Sequence, residues 1–153
     1  LRRAGDLAAE GAGPGWCRGA AGVALARGAL DTDTPAPEAP AGGPAPERPA
    51  GAVRPLTDRP LLGDLSLCHG ELGVAEALRG IVPGGDAARR HLGRVLDAVD
   101  RYGPSCGTPG GVPTPGLLTG LAGIGYELLR LSGVAAVPSV LLLEPTPQPP
   151  PPG

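Results

Sequence analysis

The stretch SLCHGELGVAEALRG, residues 66–80, places a cysteine and a histidine directly before a glycine and an apolar run of helical character. The pattern occurs twice more, as WCRGAAGVALAR at residues 16–27 and LLTGLAGIGYELLR at residues 117–130. Each copy reads G-x-x-G followed by Val or Ile, and successive copies are 51 and 50 residues apart. The first glycines of the copies are Gly19, Gly70 and Gly120. Such a period predicts repeated helical hairpins, each with an inner helix, a connection and an outer helix.

The residues after each glycine pair are mostly small or apolar, which is typical of a helix buried on most of its surface. These three segments are predicted to be inner helices. Residues 86–103 instead show the 3.6-residue period of a surface helix and predict an outer helix that ends at Gly103 and Pro104. Its predicted buried face consists of Ala88, Leu92, Val95, Leu96 and Val99. The chain is therefore predicted to be all-α.

Two segments depart from this pattern. Residues 31–60 are rich in Pro, Ala and Gly and predict a flexible insertion, with at most a short turn of helix near Val53. Residues 145–153 predict a disordered Pro-rich tail. The apolar run at residues 137–144 is too short to span a membrane and predicts an extended segment packed on the domain. One domain is thus expected over residues 1–144.

Composition limits the classes of function. The net charge is −2 and the 13 basic residues, all Arg, are scattered, which argues against nucleic acid as a partner. No apolar run approaches the roughly 20 residues of a membrane span, and no signal peptide opens the chain. The three cysteines are an odd number, which favours metal binding or catalysis over disulfides. We expect a cytoplasmic protein, and the absence of Met suggests a fragment of a longer product.

Two copies of the repeat carry a cysteine two residues before the first glycine, Cys17 and Cys68, where the third copy has Leu118. If the repeats stack around a common centre, these positions converge and bring His69 with them. Two Cys and one His are three of the four ligands that zinc prefers, and an open fourth position is typical of catalytic zinc. The nearby helix N-termini are expected to favour the thiolate form of each cysteine.

A simpler interpretation stays open, because buried free cysteine is common and a single Cys-His pair is weak evidence for metal. Cys106 lies outside the repeat phase, in the loop PSCGTPGG, and is predicted to be a free thiol. His91 lies among arginines on the outer helix and is predicted to be solvated. Trp16 and Tyr126 are predicted to pack rather than to catalyse.

The motifs GWCRGAAGVALAR, LCHGELG and CGTPGGVPTPGLLTGLAGIGYELLRL, followed by VPSVLLLE, resemble the lanthionine synthetase C-like cyclase domain of class II lanthipeptide synthetases, the LanM type. The resemblance implies an α/α toroid of six or seven hairpins around a zinc ion held by Cys17, Cys68 and His69. It also implies addition of peptide cysteine thiols to dehydroalanine or dehydrobutyrine, which forms the thioether rings of lantibiotics.

The resemblance covers only about three inner helices, so we expect a partial toroid from the C-terminal part of the domain. The family's acid and base residues would lie upstream of Trp16, and the catalytic residues of this chain are therefore unknown. The implied partners are a lanthipeptide precursor peptide, the remaining cyclase helices and a dehydratase domain. Two alternatives remain: a non-catalytic zinc- or thiol-binding relative, and an inactive remnant of a truncated synthetase gene.

Overall fold

The computed structural model describes residues 13–33, 50–133 and 136–145. Within these residues the protein is helical and has no strand beyond an isolated bridge between Gly13 and Gly19. The predicted all-α class is confirmed for this part of the chain. None of its helices is long and apolar enough to cross a bilayer. The helices are α1 (Ala20–Asp33), α2 (Ala50–Thr57), α3 (Glu71–Ile81), α4 (Asp86–Tyr102) and α5 (Leu121–Ser132), with a 3₁₀ turn at Pro109–Gly111.

The three copies of the repeat form the same local structure. Each inner helix, α1, α3 and α5, begins one residue after the first glycine of its copy. In each, the N–H of the first helical residue donates to the carbonyl oxygen seven residues earlier. These bonds run from Ala20 to Gly13 at 2.9 Å, from Glu71 to Asp64 at 3.1 Å and from Leu121 to Thr114 at 2.8 Å. The periodicity in the sequence therefore corresponds to a repeated loop-to-helix unit.

The second glycine of each copy is explained by a close approach of backbone. A Cβ atom at Gly73 would overlap the carbonyl oxygen of Leu67, which lies on the loop just before the helix. The equivalent pairs in the other copies are Gly22 with Trp16 and Gly123 with Leu117. Since only glycine lets the loop fold back onto the first turn of the helix, the G-x-x-G spacing determines the loop's position.

Helix α3 is the centre of the described structure, because it packs against α1, α2, α4 and α5. Almost every side chain of its first eight residues is buried, as predicted for an inner helix. The core around it combines Leu72 and Leu78 of α3 with Leu25 of α1 and Ile124 of α5. Helix α5 is less covered, and its Leu129 is half exposed.

The predicted outer helix is α4, and it ends at Gly103, whose φ of 76° is readily adopted only by glycine. Val95 is fully buried as predicted, but Leu96 is 48% exposed and its predicted burial is wrong. The reason is the placement of the buried stripe. His91 and Val95 lie at its centre, four residues apart, which turns Leu96 toward solvent.

His91 was predicted to be solvated, and this is wrong: it is 2% exposed, and its Nε2 atom lies 3.0 Å from Glu71 Oε2. Glu71, the first residue of α3, also accepts hydrogen bonds from Arg59, at 2.7 and 3.1 Å, and from the N–H of Leu62. Burial by itself would raise the pKa of Glu71, but the contacts with His91, Arg59 and Leu62 outweigh it and lower the pKa to about 2. One carboxylate thus joins α4 and the end of the Pro-rich connection to α3.

The Pro-rich segment contributes more structure than predicted. Instead of at most a short turn near Val53, it contains the eight-residue helix α2, and α1 extends into the segment as far as Asp33. Leu56 of α2 is fully buried in the core, although this segment was predicted to be a flexible insertion. Arg94 of α4 donates to the carbonyl oxygens of Thr57 and Arg59 and holds the end of α2 in place. Residues 34–49 lie outside the described residues.

The segment at residues 137–144 packs on the domain, as predicted, through the buried side chain of Leu141. Its conformation differs from the prediction, since residues 139–144 form a turn rather than an extended segment. The N–H of Glu144 donates to the carbonyl oxygen of Ser139 at 3.0 Å, which closes the turn. The predicted tail, apart from its first residue, lies outside the described residues.

Buried charges also join α3 to α5. Arg130 of α5 forms an ion pair with Glu76 of α3, and its Nη1 atom is 3.9 Å from Glu127 Oε1. Both glutamates are nearly fully buried. Burial and the adjacent charge of Glu76 raise the pKa of Glu127 to about 8, against the opposing effect of Arg130. Glu127 is therefore protonated at neutral pH, which allows two carboxyl groups to share one arginine.

Candidate metal centre

The loops before the inner helices bring the equivalent positions of the three repeats into register. Residues 16–18, 67–69 and 117–119 form matching turns. The N–H of Cys17 donates to the carbonyl oxygen of Cys68 at 2.9 Å, and the N–H of Cys68 donates to that of Leu118 at 3.0 Å. Since these three residues occupy the same position of the repeat, backbone hydrogen bonds alone place the two cysteines side by side.

Cys17, Cys68 and His69 form a cluster in which the two Sγ atoms and a ring nitrogen all lie within 4.8 Å of one another. Cys17 is exposed, Cys68 is half-buried, and the side chain of His69 is 44% exposed. The convergence predicted from the repeat phase is thus found, and the cluster is accessible to another molecule. The assignment of these residues as metal ligands stays a prediction.

The loop at residues 105–111 contacts the ring of His69 and holds it in place. Its Nε2 atom lies 3.0 Å from the carbonyl oxygen of Gly107 and 3.9 Å from Asp64 Oδ2. The other oxygen of Asp64 accepts a hydrogen bond from the N–H of Ser66 at 2.8 Å, which fixes the carboxylate. The sequence interpretation missed Asp64 and Gly107, and the only signal was the glycine-rich motif after Cys106.

The thiol of Cys68 is harder to ionise than an exposed cysteine. Burial, followed by the hydrogen bond and charge of Cys17, raises the pKa of Cys68 to about 11. For Cys68, this contradicts the expectation that the helix N-terminus would be enough to favour the thiolate. Two adjacent thiolates become favourable only beside a cation, and so the donor set fits a soft divalent metal such as zinc better than a free pair of reactive thiols.

Open grooves flank the cluster on two sides. One, of about 540 Å³, is lined by polar and glycine residues that include Asp64, His69 and Gly107. The other, of about 550 Å³, has a more apolar lining that includes Trp16, Cys17 and Leu142. The cluster is therefore open to solvent on both sides.

Three further residues were considered as candidates from the sequence: Trp16 and Tyr126 were predicted to pack, and Cys106 was predicted to be a free thiol. Cys106 is a free thiol, as predicted, and its side chain is buried in the core, at 1% exposure. Trp16 packs against the core, and the hydroxyl of Tyr126 donates to the carbonyl oxygen of Pro138 at 2.8 Å. Cys106 is not part of the cluster.

Comparison with known families gives the context of this cluster. The family model described as lanthionine synthetase C-like protein matches residues 4–142. The chain belongs to this family. It matches no curated protein and no solved structure at a significant level.

The matched region of this lanthionine synthetase C-like chain contains all three repeats, the cysteine-histidine cluster and the loop that contacts His69. The motifs that resemble the family and the cluster found in the structure thus share the same residues, Cys17, Cys68 and His69. The class II, LanM-type assignment and the position of this segment within a longer cyclase remain predictions.

Proposed function

We propose that this chain carries the zinc-binding part of a cyclase that forms lanthionine and methyllanthionine rings in lanthipeptide biosynthesis. The observation that supports this most strongly is the convergence of Cys17, Cys68 and His69 in a lanthionine synthetase C-like chain. The implied substrate is a precursor peptide that contains cysteine together with dehydroalanine or dehydrobutyrine.

Cys17, Cys68 and His69 would hold the metal and leave a fourth position for the substrate, as in other catalytic zinc sites. When bound, zinc supplies positive charge that favours the thiolate form of the substrate cysteine near neutral pH. The backbone hydrogen bond between Cys17 and Cys68 keeps the two sulfur atoms adjacent. The exposure of Cys17 and His69 leaves room for a peptide to approach.

The proposed reaction is addition of a thiol across a carbon-carbon double bond. A bond forms between the substrate sulfur and Cβ of the dehydro residue, the π electrons move to Cα, and a proton is delivered to Cα, so that the mass of the peptide does not change. A positioned acid contributes a factor of about 10² to 10⁴ to such a step.

The proton donor is proposed to come from outside the described residues. His69 belongs to the cluster, and Nε2 of His91 faces the buried carboxylate of Glu71 rather than a groove. We therefore propose that upstream cyclase helices of a LanM-type synthetase supply the acid and base. We also propose that the chain works in the cytoplasm, where a reducing environment keeps cysteines available as metal ligands.

Metal content tests the binding half of the proposal. The 153-residue chain, purified with zinc and dialysed, is expected to retain one zinc per molecule, and Cys68→Ala is expected to lose it. The matched control is Cys106→Ala, which removes a cysteine outside the cluster and is expected to keep the metal. Equal zinc in the wild type and in a Cys17→Ala, Cys68→Ala double variant contradicts the proposal.

Ring formation tests the catalytic half. A dehydrated precursor peptide is incubated with the chain, its remaining free thiols are alkylated, and the products are counted by mass spectrometry. The chain alone is expected to cyclise no faster than the uncatalysed background, and the addition of upstream cyclase helices is expected to give rings that require zinc and Cys68. Zinc-dependent ring formation by the chain alone would show that the separation of metal and proton functions is wrong.

A further inference from the structure

The groups around the ring of His69 indicate which of its two nitrogens carries the hydrogen. Both groups near Nε2, the carbonyl oxygen of Gly107 at 3.0 Å and Oδ2 of Asp64 at 3.9 Å, can only accept hydrogen bonds. A neutral imidazole carries one N–H, and here it is stabilised at Nε2 by a hydrogen bond to the Gly107 carbonyl oxygen and by the nearby negative charge of Asp64. The lone pair is then on Nδ1.

The short distance to Gly107 requires that this residue be glycine. A Cβ atom built at Gly107 would lie 2.7 Å from His69 Nε2 and 2.5 Å from Ser66 Oγ, both closer than real Cβ atoms approach. Any larger residue would push the loop or the imidazole away. This explains the first glycine of the CGTPGG motif, to which no role was assigned from the sequence.

The loop is attached to the neighbouring segments at several points. The N–H of Leu65 donates to the carbonyl oxygen of Ser105 at 2.9 Å, and the N–H of Gly107 donates to that of Thr119 at 2.8 Å. Leu65 precedes the Cys68-His69 motif, and Thr119 precedes the first glycine of the third repeat. The carbonyl of Gly107 is therefore held in place by the same repeats that position the cysteines.

We propose that Gly107 and Asp64 are positioning residues that hold the proton of His69 on Nε2, so that Nδ1 is the nitrogen that binds the metal beside Cys17 and Cys68. This inference rests on the metal-binding function proposed above and adds the ligand atom and the two residues that orient it. Outer groups of this kind orient a metal-binding histidine, and their removal costs about tenfold to a hundredfold in metal affinity.

The tautomer is tested on the wild-type chain by long-range ¹H–¹⁵N NMR spectra at neutral pH, with and without zinc. The chain has two histidines, and the His69→Gln variant identifies which signals belong to His69. We expect a protonated Nε2 in both states and a shift of Nδ1 on addition of zinc. A proton on Nδ1 in the zinc-free chain, or a metal-bound Nε2, overturns the inference.

Zinc affinity tests the role of the loop, by competition with a chromophoric chelator. Gly107→Ala is expected to weaken zinc binding about tenfold to a hundredfold. The matched control is Gly63→Ala in the same groove, where an added Cβ meets nothing within 4 Å, and its affinity is expected to equal that of the wild type. Asp64→Asn keeps an acceptor for Ser66 but removes the charge near Nε2, and a smaller loss is expected.

Equal zinc affinity in folded Gly107→Ala and Gly63→Ala overturns the inference. If Gly107→Ala fails to fold, as judged by circular dichroism, the wild-type NMR spectra decide. The two proposals fail in different ways. Absence of zinc binding by the wild type refutes the metal site, whereas a site that binds zinc through Nε2 refutes only the orientation of His69.

Discussion

Replacing Glu127 by Gln is expected to make the protein more stable at alkaline pH and to remove part of its pH dependence. The Glu127 carboxyl is 1% exposed, lies close to Glu76 on α3, and has Arg130 and Arg79 as the nearby positive charges. Burial and the charge of Glu76 raise its pKa from 4.5 to about 8. Glutamine resembles the protonated acid in shape and can still donate a hydrogen bond to Glu76.

The sign follows from proton binding. Between the pKa of about 4.5 in the unfolded chain and the pKa of about 8 in the folded chain, the folded state binds the extra proton. The stabilisation is therefore complete below pH 4.5, decreases as the pH rises, and is lost above pH 8. The difference between the two pKa values corresponds to about 5 kcal/mol in the free energy of unfolding. At pH 8 we expect Glu127→Gln to be more stable than the wild type by about 3 to 5 kcal/mol.

The assay is urea unfolding of both proteins at intervals between pH 5 and 8, followed by circular dichroism. Comparison at each pH removes contributions that the two proteins share, including those of the cysteines and histidines. The control is Glu144→Gln, because Glu144 lies 3.7 Å from the same Arg130 but its side chain is 43% exposed. This control is expected to follow the wild type. Parallel curves for wild type and Glu127→Gln would refute the argument that Glu127 is protonated when folded.

Two further predictions concern packing. Gly73→Ala is expected to destabilise the protein by more than about 2 kcal/mol, because its Cβ would overlap a carbonyl oxygen of the preceding loop. Gly125→Ala has open space around the added Cβ and should be neutral or stabilising. Thermal unfolding of both variants checks this prediction, and equal melting temperatures would contradict it. Leu56→Ala should lower the free energy of unfolding, measured in urea, by about 2 to 5 kcal/mol if α2 is part of the core. Leu143→Ala, at an 85% exposed position, should lower it by less than about 0.5 kcal/mol. Similar losses in these two leucine variants would show that α2 does not pack as described.

The repeats and the starts of the inner helices could be predicted from the sequence because they depend on local chemistry. The G-x-x-G spacing reflects contacts between a loop and the helix that directly follows it, because the closest neighbour of the second glycine is a carbonyl oxygen of the preceding loop in every copy. The convergence of Cys17 and Cys68 followed from the same periodicity, since equivalent positions of stacked repeats are neighbours. The outer helix α4 was predictable from its 3.6-residue pattern for the same reason.

Other features depend on which helices become neighbours, and no local pattern contains that information. His91 lies among arginines in the sequence, and its burial results from Glu71, which is 20 residues earlier and belongs to another helix. Leu56 is buried because α1, α3 and α4 together provide a surface for α2. The raised pKa of Glu127 likewise requires Glu76 from another helix to be buried beside it.

The orientation of His69 shows the same division within the candidate site. Its place beside the cysteines follows from the repeat, but the choice between its two ring nitrogens depends on Gly107, 38 residues later. Periodicity determines which residues share a face or a turn, because helix geometry is local. Burial, ion pairing and the position of a proton depend on groups brought close by packing, because the energies of desolvation and hydrogen bonding depend on distance in space rather than on separation along the chain.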